Sequence, residues 1–583
     1  MIKEAPPATV PLPVSIALDR MQISGVLQNP EEALRHVKVE REILEDFRPI
    51  SESLEWRLSD LYWRTAGVLP FATNEVPFVI TNSGRLSESA AAVLFANCLD
   101  APPGQKLVVL ELGAGSGLFA RYFLDAFRAI CSQEGRDFYD RLLYVVSDRS
   151  SRTVEQWNER GLFADHSGHV LPGVCDALRP REFRAAASDG AELQGARAVL
   201  CNYMLDVLPS TIVRMGANGY EELRVRTCLT NNRDLVSEYT RLSTEEMRAR
   251  AASVETDDQS ELMPLVSLFE LETAFLPVES HPPEYASEVL GHHDGAEPVL
   301  LNRGALQCLE ECTGLLDSYG FVLINDYGPA TPEQAKRHMT AQRFGATTAL
   351  GVNFPVLDRY LAQKQLNVAK ARGDDDRPLH ARLLTRRELP RTRDAFENRF
   401  GEEARAFFES PLEQARQHVA ADRKNEALES YRVALTRSPR DWQVVGEIAE
   451  FVGLRLRDFA SGLELARAAV MLNPWYSTWL WNTLGDCLFC LGRVEDSHEA
   501  YLQAQRIDHA DVRTNLNLSY TYSRFGAHEA SLEAIALGLA KDVRGQFRDS
   551  LLLKQQQVLA AISCRWTAEQ ERLGRRSLSS PLR

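Results

Sequence analysis

Lys106-Leu-Val-Val-Leu-Glu-Leu-Gly-Ala-Gly-Ser-Gly-Leu-Phe-Ala120 joins an apolar strand, one carboxylate and three alternate glycines to the start of a helical pattern. Gly113, Gly115 and Gly117 remove every second Cβ, so the backbone can turn sharply and a ligand can lie on bare peptide groups. Leu118 stands where a dinucleotide-binding G-x-G-x-x-G turn needs its third glycine. The spacing therefore predicts a nucleoside ligand of a different kind. The plain alternative is a tight strand-to-helix turn that holds nothing.

Outward from this loop, strand and helix patterns alternate over about 250 residues. Short β-branched runs fall at Leu107–Leu110, Leu142–Val146, Ala198–Cys201, Val299–Leu301 and Phe321–Ile324, separated by longer amphipathic stretches. Such alternation predicts an α/β, Rossmann-like domain with a mostly parallel sheet covered on both faces. Thr211 to Arg226 reads as two strands around an Asn218-Gly219 turn, a hairpin inserted in or added beside that sheet. Ahead of the loop, a proline-rich leader and a short helical stretch over Glu31–Asp46 form an arm or cap, residues 1–50. Two helical patterns between Glu52 and Leu99 then flank an extended piece, Val76 to Ala90, that turns at Ser83-Gly84 and could cover a ligand.

Residues 371–400 are dense in charge and broken by proline, and read as a solvated linker closing a domain of residues 51–370. Beyond it the chain repeats itself. Ala427-Leu-Glu-Ser-Tyr-Arg-Val-Ala, Gly462-Leu-Glu-Leu-Ala-Arg-Ala-Ala, Ser497-His-Glu-Ala-Tyr-Leu-Gln-Ala and Ser531-Leu-Glu-Ala-Ile-Ala-Leu-Gly recur at offsets of 35, 35 and 34. Pro439 and Pro474 close two units, while Gly492 and Gly526 mark an inner turn that lacks glycine in the first two. This period resembles tetratricopeptide (TPR) repeats, so residues 401–545 are expected to stack as an all-α superhelix with a concave groove, capped by a helix over Gln546–Leu573.

Composition narrows the function classes. The net charge of −15 over 583 residues disfavours a surface that tracks phosphates, so no nucleic-acid partner is expected. No window approaches 18 uncharged apolar residues, and the leader has no basic segment before an apolar one; a cytoplasmic protein with no membrane span is expected. Ten cysteines are scattered. The closest pairs, Cys308/Cys312 and Cys487/Cys490, sit at helical spacing in apolar segments and read as reduced core thiols. His292-His293 reads as part of a turn, and no metal site is expected.

Five further positions carry the chemistry. If the glycine loop cradles S-adenosylmethionine (SAM), an acidic residue ending the second strand should accept from both ribose hydroxyls, and Asp148 supplies it. Its alternative role is to cap the next helix. Glu111 would face the cationic end of the methionine moiety, or else cap the turn. Asp176, after the third strand, could accept from the adenine amino group or simply hold its own turn. Asn202 ends a further strand beside the methyl donor. Asp206, one helical turn later on the same face, would orient or deprotonate the acceptor.

The glycine loop, Val79-Ile-Thr before a helix, Asn202 with Asp206 and Pro209, the hairpin, Leu323-Ile-Asn-Asp-Tyr-Gly328 and Gly351-Val-Asn-Phe354 together resemble the MidA-like SAM-dependent methyltransferases. That family includes the mitochondrial complex I assembly factor. The resemblance covers about residues 50 to 370. It implies a class I methyltransferase fold, SAM as cofactor and, in the family's best understood branch, methylation of protein arginine. Here Asp148 replaces a glutamate, Cys-Asn-Tyr-Met-Leu-Asp206 replaces Asn-Glu-Phe-Phe-Asp, and the repeats are appended. Tyr203 thus stands where a carboxylate would grip a guanidinium.

The leading expectation is a SAM-dependent methyltransferase that acts by direct in-line transfer on a protein or peptide recruited by the repeat groove. Positioning and exclusion of water supply much of such a rate, about 7 to 11 kcal/mol in favourable cases. A small-molecule methyltransferase whose repeats serve assembly, and a non-catalytic scaffold with a vestigial SAM-binding fold, are the alternatives.

Overall fold

The computed structural model describes residues 41–578, apart from residues 74, 77–81, 83, 105, 187–192, 218, 254–255, 279–296 and 338–340. The described residues fall into two units, divided between Phe407 and Phe408. The first unit is mixed α/β and the second is all-helical.

The first described element is a strand, β1 (Arg41–Pro49), where a helix was expected through Asp46. Its Arg, Glu and Leu are good helix formers, but pairing with a later strand overrides that preference. The rest of that helical expectation, and most of the extended piece before Gly84, lie outside the described residues. Helix α1 (Leu54–Thr65) follows, capped by Ser53, whose hydroxyl accepts from the Trp56 amide. Next comes α2 (Gly84–Asp100), and then the alternation begins: β2 (Leu107–Leu112), α3 (Leu118–Gln133), β3 (Leu142–Asp148), α4 (Ser151–Glu159), β4 (Val170–Val174), the short β5 (Arg184–Ala185) and β6 (Ala196–Asn202).

The expected hairpin, β7 (Thr211–Gly216) with β8 (Gly219–Thr230), is part of something larger. Asn218 itself is outside the described residues. Together with β9 (Phe269–Pro277), β10 (Val299–Leu301) and β1, the hairpin builds a five-stranded antiparallel sheet. The run Val299–Leu301 therefore belongs here and not to the parallel sheet. It is only three residues long and pairs with β7, Leu300 opposite Ile212, before α5 (Arg303–Leu315) leads back. The chain continues through β11 (Leu316–Tyr327), the small pair β12 (Gln342–Phe344) and β13 (Thr347–Ala349), α6 (Phe354–Gln363), β14 (Asn367–Lys370), β15 (Leu379–Thr385) and α7 (Pro390–Phe400).

The central sheet runs β14-β15-β11-β6-β2-β3-β4-β5. The five strands from β11 to β4 are parallel, whereas β15 and β5 are antiparallel to their neighbours. From β2 the chain winds outward to β3 and β4, then returns to the other side of β2 as β6. Strand order reverses at the β2/β6 junction, and the carboxyl ends of both strands open there. One face is buried by α5 and α6, whose Leu306, Leu309, Leu357 and Leu361 pack on Leu110, Val199 and Val322.

Residues 371–400 are not a linker. Strand β15 lies inside the sheet, and α7 packs on α2, with the Thr392 amide and hydroxyl both donating to Asp100. Most charges of this stretch stay at the surface, but its central ones are paired in the core. Buried Asp374 accepts from Arg382 at 2.6 Å and pairs with His380 at 3.1 Å, and Arg382 also reaches Asp358 at 2.9 Å.

In the second unit, α8 (Ser410–Ala420) and α9 (Lys424–Arg437) form a helical hairpin. So do α10 (Trp442–Glu450, continuing as a π turn to Arg455) with α11 (Phe459–Leu472), α12 (Thr478–Cys490) with α13 (Val494–Ile507), and α14 (Val512–Arg524) with α15 (His528–Lys541). The four quoted blocks lie on the second helix of each hairpin. Each inner turn holds one residue in the left-handed region: Asp422 (φ 52°), Arg457 (φ 63°), Gly492 (φ 78°) and Gly526 (φ 73°). Buried Arg513 of α14 ties the first helices together, reaching Asp486 on α12 at 2.6 Å and Glu450 on α10 at 3.3 Å. Helix α16 (Arg548–Leu578) ends the stack and buries Leu551 and Val558 against Leu516 and Ile535. Among the described residues no helix is long and apolar enough to cross a membrane.

Candidate active site

The glycine loop sits at the reversal of strand order, between β2 and α3. Gly113, Gly115 and Gly117 all take positive φ, at 61°, 54° and 75°, a region in which a side chain would be strained. Space is equally tight. A Cβ on Gly115 would lie 2.5 Å from the Phe71 ring, and one on Gly117 would lie 2.7 Å from Leu162. Buried Trp157 of α4 donates to the Gly115 carbonyl at 3.0 Å, and Ser116 donates to Asn82 at 2.5 Å. The segment ahead of α2 thus does reach the loop, through Asn82.

Asp148, at the end of β3, accepts from the Gly115 amide at 3.0 Å through one oxygen and from the Ser150 amide at 3.0 Å through the other. The helix cap is Ser150, whose hydroxyl accepts from Thr153, so Asp148 is not the capping residue. Burial pushes the Asp148 carboxyl up to about 6, against the pull of those two amides. Glu111 lies beneath the loop, 1% exposed, and accepts from the Tyr144 hydroxyl at 2.7 Å. Burial pushes it up to about 8; the Tyr144 hydroxyl opposes that shift and the neighbouring Asp148 charge adds to it. Asp176 is turned to its own backbone. It accepts from the Leu178 amide at 3.0 Å and pairs with Arg179 at 3.4 Å.

At the end of β6, the Asn202 carbonyl oxygen accepts from Asn325 of β11 at 2.8 Å, directly across the parallel ladder. The chain then departs from expectation: residues 203–209 form a turn and not a helix, so Asp206 is not placed one helical turn above Asn202. The cause is Tyr203, which takes φ 51°, unusual for any residue with a Cβ. That conformation stacks its ring on Tyr327 at 4.6 Å between centroids and brings the two hydroxyls within 2.6 Å. Asp326 holds the turn from below, accepting from the Met204 and Leu205 amides at 3.2 and 2.8 Å.

The charges of Asp206 and Asp326 act on one another. Burial pushes Asp206 up to about 7, opposed by backbone donors at Asp206 and Val207. Burial and the Asp206 charge raise Asp326, and the amides of Tyr327, Leu205 and Met204 pull it back. The Asp206 carbonyl also accepts from the Leu350 amide, which brings in the Gly351-Val-Asn-Phe354 block. Gly328 (φ 148°) is needed because a Cβ there would meet the Val352 carbonyl at 2.1 Å.

Sequence reasoning assigned no role to Asn325, Asp326, Tyr327 or Trp157. The signal for the first three was the Asn-Asp-Tyr-Gly run ending an apolar strand; Trp157 had none, since its partner is a carbonyl 42 residues away.

Residues 91–350 match a family model described as "Putative S-adenosyl-L-methionine-dependent methyltransferase". The match supports a methyltransferase family for this segment, and the cofactor it assigns is SAM. No curated protein matches the chain. Similar solved structures include a Burkholderia thailandensis protein bound to S-adenosyl-homocysteine, 16% identical, covering 63% of this chain and 82% of that one, with a TM-score of 0.38. An uncharacterized B. thailandensis protein of the same superfamily is also 16% identical, covering 62% and 80%, with a TM-score of 0.35. A TPR protein of Thermus thermophilus is 19% identical, covering 26% of this chain and 90% of its own, with a TM-score of 0.22.

The residues of the matched segment fit this cofactor. Glu111, Asp148, Asp206 and Asp326 end adjacent strands or follow them directly, an acidic setting for a sulfonium and an ammonium and a poor one for a pyrophosphate.

Proposed function

We propose that this chain is a class I SAM-dependent methyltransferase that modifies a protein or peptide recruited by its TPR repeats, in the cytoplasm. The observation that carries the reading is the grip of Asp148 on Gly115 at the point where strand order reverses. It sets a left-handed glycine turn and an acidic strand end side by side, as a nucleoside with a free ribose requires. SAM, when bound, supplies an electrophilic methyl group on a sulfonium.

The chain's own residues bind, orient and exclude water. Gly113 to Gly117 would carry the nucleoside, Asp148 the ribose hydroxyls and Glu111 the cationic methionine end, with Asp176 at the adenine edge. On the acceptor side, Asn202 is fixed by Asn325, and the stacked Tyr203 and Tyr327 lie beside Asp206 and Asp326. Burial pushes Asp206 up to about 7, so it can accept a proton from an acceptor nitrogen or simply orient it. The repeats support recruitment: four helical hairpins at offsets of 35, 35 and 34 are the TPR period, and such stacks present a groove to peptides.

Isothermal titration of the full chain with SAM tests the first half: micromolar binding is expected, and no heat would sink the enzyme reading. Incubation of lysate proteins with a labelled methyl donor tests the second. Label in macromolecules supports a protein acceptor; label confined to small molecules rejects it.

A further inference from the structure

Behind the β6 end of the site lies a group that the sequence spacing left unassembled. Cys308 and Cys312, one turn apart on α5, face Cys201 of β6, the residue immediately before Asn202. All three are 0% exposed, and their sulfurs lie within 4.8 Å of one another, with Cys308 and Cys312 at 3.9 Å. Three sulfurs bound at about 2.3 Å to a central ion would stand about 4.0 Å apart in a trigonal plane. The cluster therefore needs shifts of under about 1 Å to close on an ion. Elsewhere among the described cysteines no such convergence occurs, and no carboxylate or imidazole joins this one.

We propose that Cys201, Cys308 and Cys312 form a buried site for a thiophilic d10 metal ion, Zn(II) or Cu(I). An all-sulfur set excludes hard cations such as magnesium and calcium. Three ligands without a fourth suit Cu(I), whereas the lower residual charge of a divalent ion in an apolar core favours Zn(II). On loading, three sulfur–metal bonds form and the three thiol protons leave to solvent. The ion would pin α5 to the last residues of β6, and so brace the strand end that carries Asn202. Entry requires an open core, so the site fills as the chain folds.

The test uses the full chain in a Cys490→Ser/Cys564→Ser background, since those two thiols are exposed and would hold metal adventitiously. Cells grown with added zinc, or with added copper, supply protein purified under reducing, anaerobic conditions and passed over a chelating resin. Metal per chain is then measured by mass spectrometry. About one equivalent of one ion is expected, together with an ultraviolet thiolate-to-metal band, and both should vanish in Cys308→Ala/Cys312→Ala. Which culture gives the loaded protein identifies the ion. Cys201→Ser, which removes one ligand and keeps a small polar side chain, serves if the double variant does not fold. Folded, reduced protein that holds no metal from either culture overturns the proposal, as does equal metal in the background protein and the variants.

Discussion

The Gly115 amide and the Asp148 carboxylate meet at 3.0 Å, so the last residue of β3 fixes the middle glycine of the neighbouring strand's loop. The two are 33 residues apart in sequence. Because the other Asp148 oxygen takes the Ser150 amide, removing the carboxylate strands two backbone donors at once. Asp148→Ala is expected to destabilise the first unit by about 1–3 kcal/mol. Asp148→Asn keeps one acceptor oxygen but turns an NH2 toward the other backbone donor, so it should cost about 1–2 kcal/mol, and it removes the charge offered to ribose hydroxyls. Its SAM dissociation constant should rise by about tenfold or more, a loss of about 1.4 kcal/mol. An unchanged dissociation constant in folded Asp148→Asn would remove the ribose role.

Glu111 links stability to pH. Its carboxyl lies at about 8 in the folded chain against an ordinary 4.5, so the folded state keeps a proton that the unfolded state releases. The stability from this group is fully present below the unfolded value and is lost as pH rises through the folded one, by up to about 1.4 kcal/mol per pH unit. Asp148 at about 6 and Asp206 at about 7 act in the same direction over narrower windows. Glu111→Gln should therefore gain thermal stability relative to the wild type progressively from about pH 5 to 8. Melting curves that stay parallel across that range would show the carboxyl to be ordinary. The same protons oppose a cationic ligand, so wild-type SAM affinity should strengthen between about pH 6 and 8.

Tyr327 separates stacking from hydrogen bonding at the acceptor wall. Tyr327→Phe keeps the ring 4.6 Å from Tyr203 but deletes the 2.6 Å hydroxyl contact that helps hold Tyr203 at φ 51°. Strain of this kind costs about 1–3 kcal/mol and persists only while its surroundings enforce it. The variant should bind SAM as the wild type does and lose turnover, by about tenfold, because the Asn202 to Asp206 turn relaxes. Equal losses in SAM affinity and turnover would place the tyrosines on the donor side.

What could be read from the sequence divides along the range of the interactions. Gly113, Gly115 and Gly117 declared a ligand-grade turn because their signal is local, and the helical repeats declared themselves by period. Strand β15 was hidden because Asp374, His380 and Arg382 look like solvated charge until they are seen to neutralise one another in the core. Asp206 was misplaced because helical spacing was assumed through Tyr203, whose left-handed backbone depends on Tyr327, 124 residues away. The thiol cluster shows the same limit. Cys308 and Cys312 were visible as a helical pair, but only the sheet order brings Cys201 to them.

The repeats offer a prediction independent of the methyl donor. Arg457 and Gly492 hold the same inner-turn position in successive hairpins, 35 residues apart, at φ 63° and 78°. A side chain incurs a steric penalty in that region, about 1–2 kcal/mol, which glycine escapes. Glycine in turn costs about 0.5–1 kcal/mol more backbone entropy on folding. The steric term is the larger, so Arg457→Gly should stabilise the helical unit by about 0.5–1 kcal/mol, and Asp422→Gly should gain less because aspartate tolerates the left-handed region better. Gly492→Ala should destabilise it by a similar amount, purely through the backbone, since nothing lies within 4 Å of the added methyl. Urea midpoints of the full chain, followed by a probe of the helical unit, would read the signs. A loss of stability in Arg457→Gly would mean that its side chain makes contacts worth more than the backbone strain.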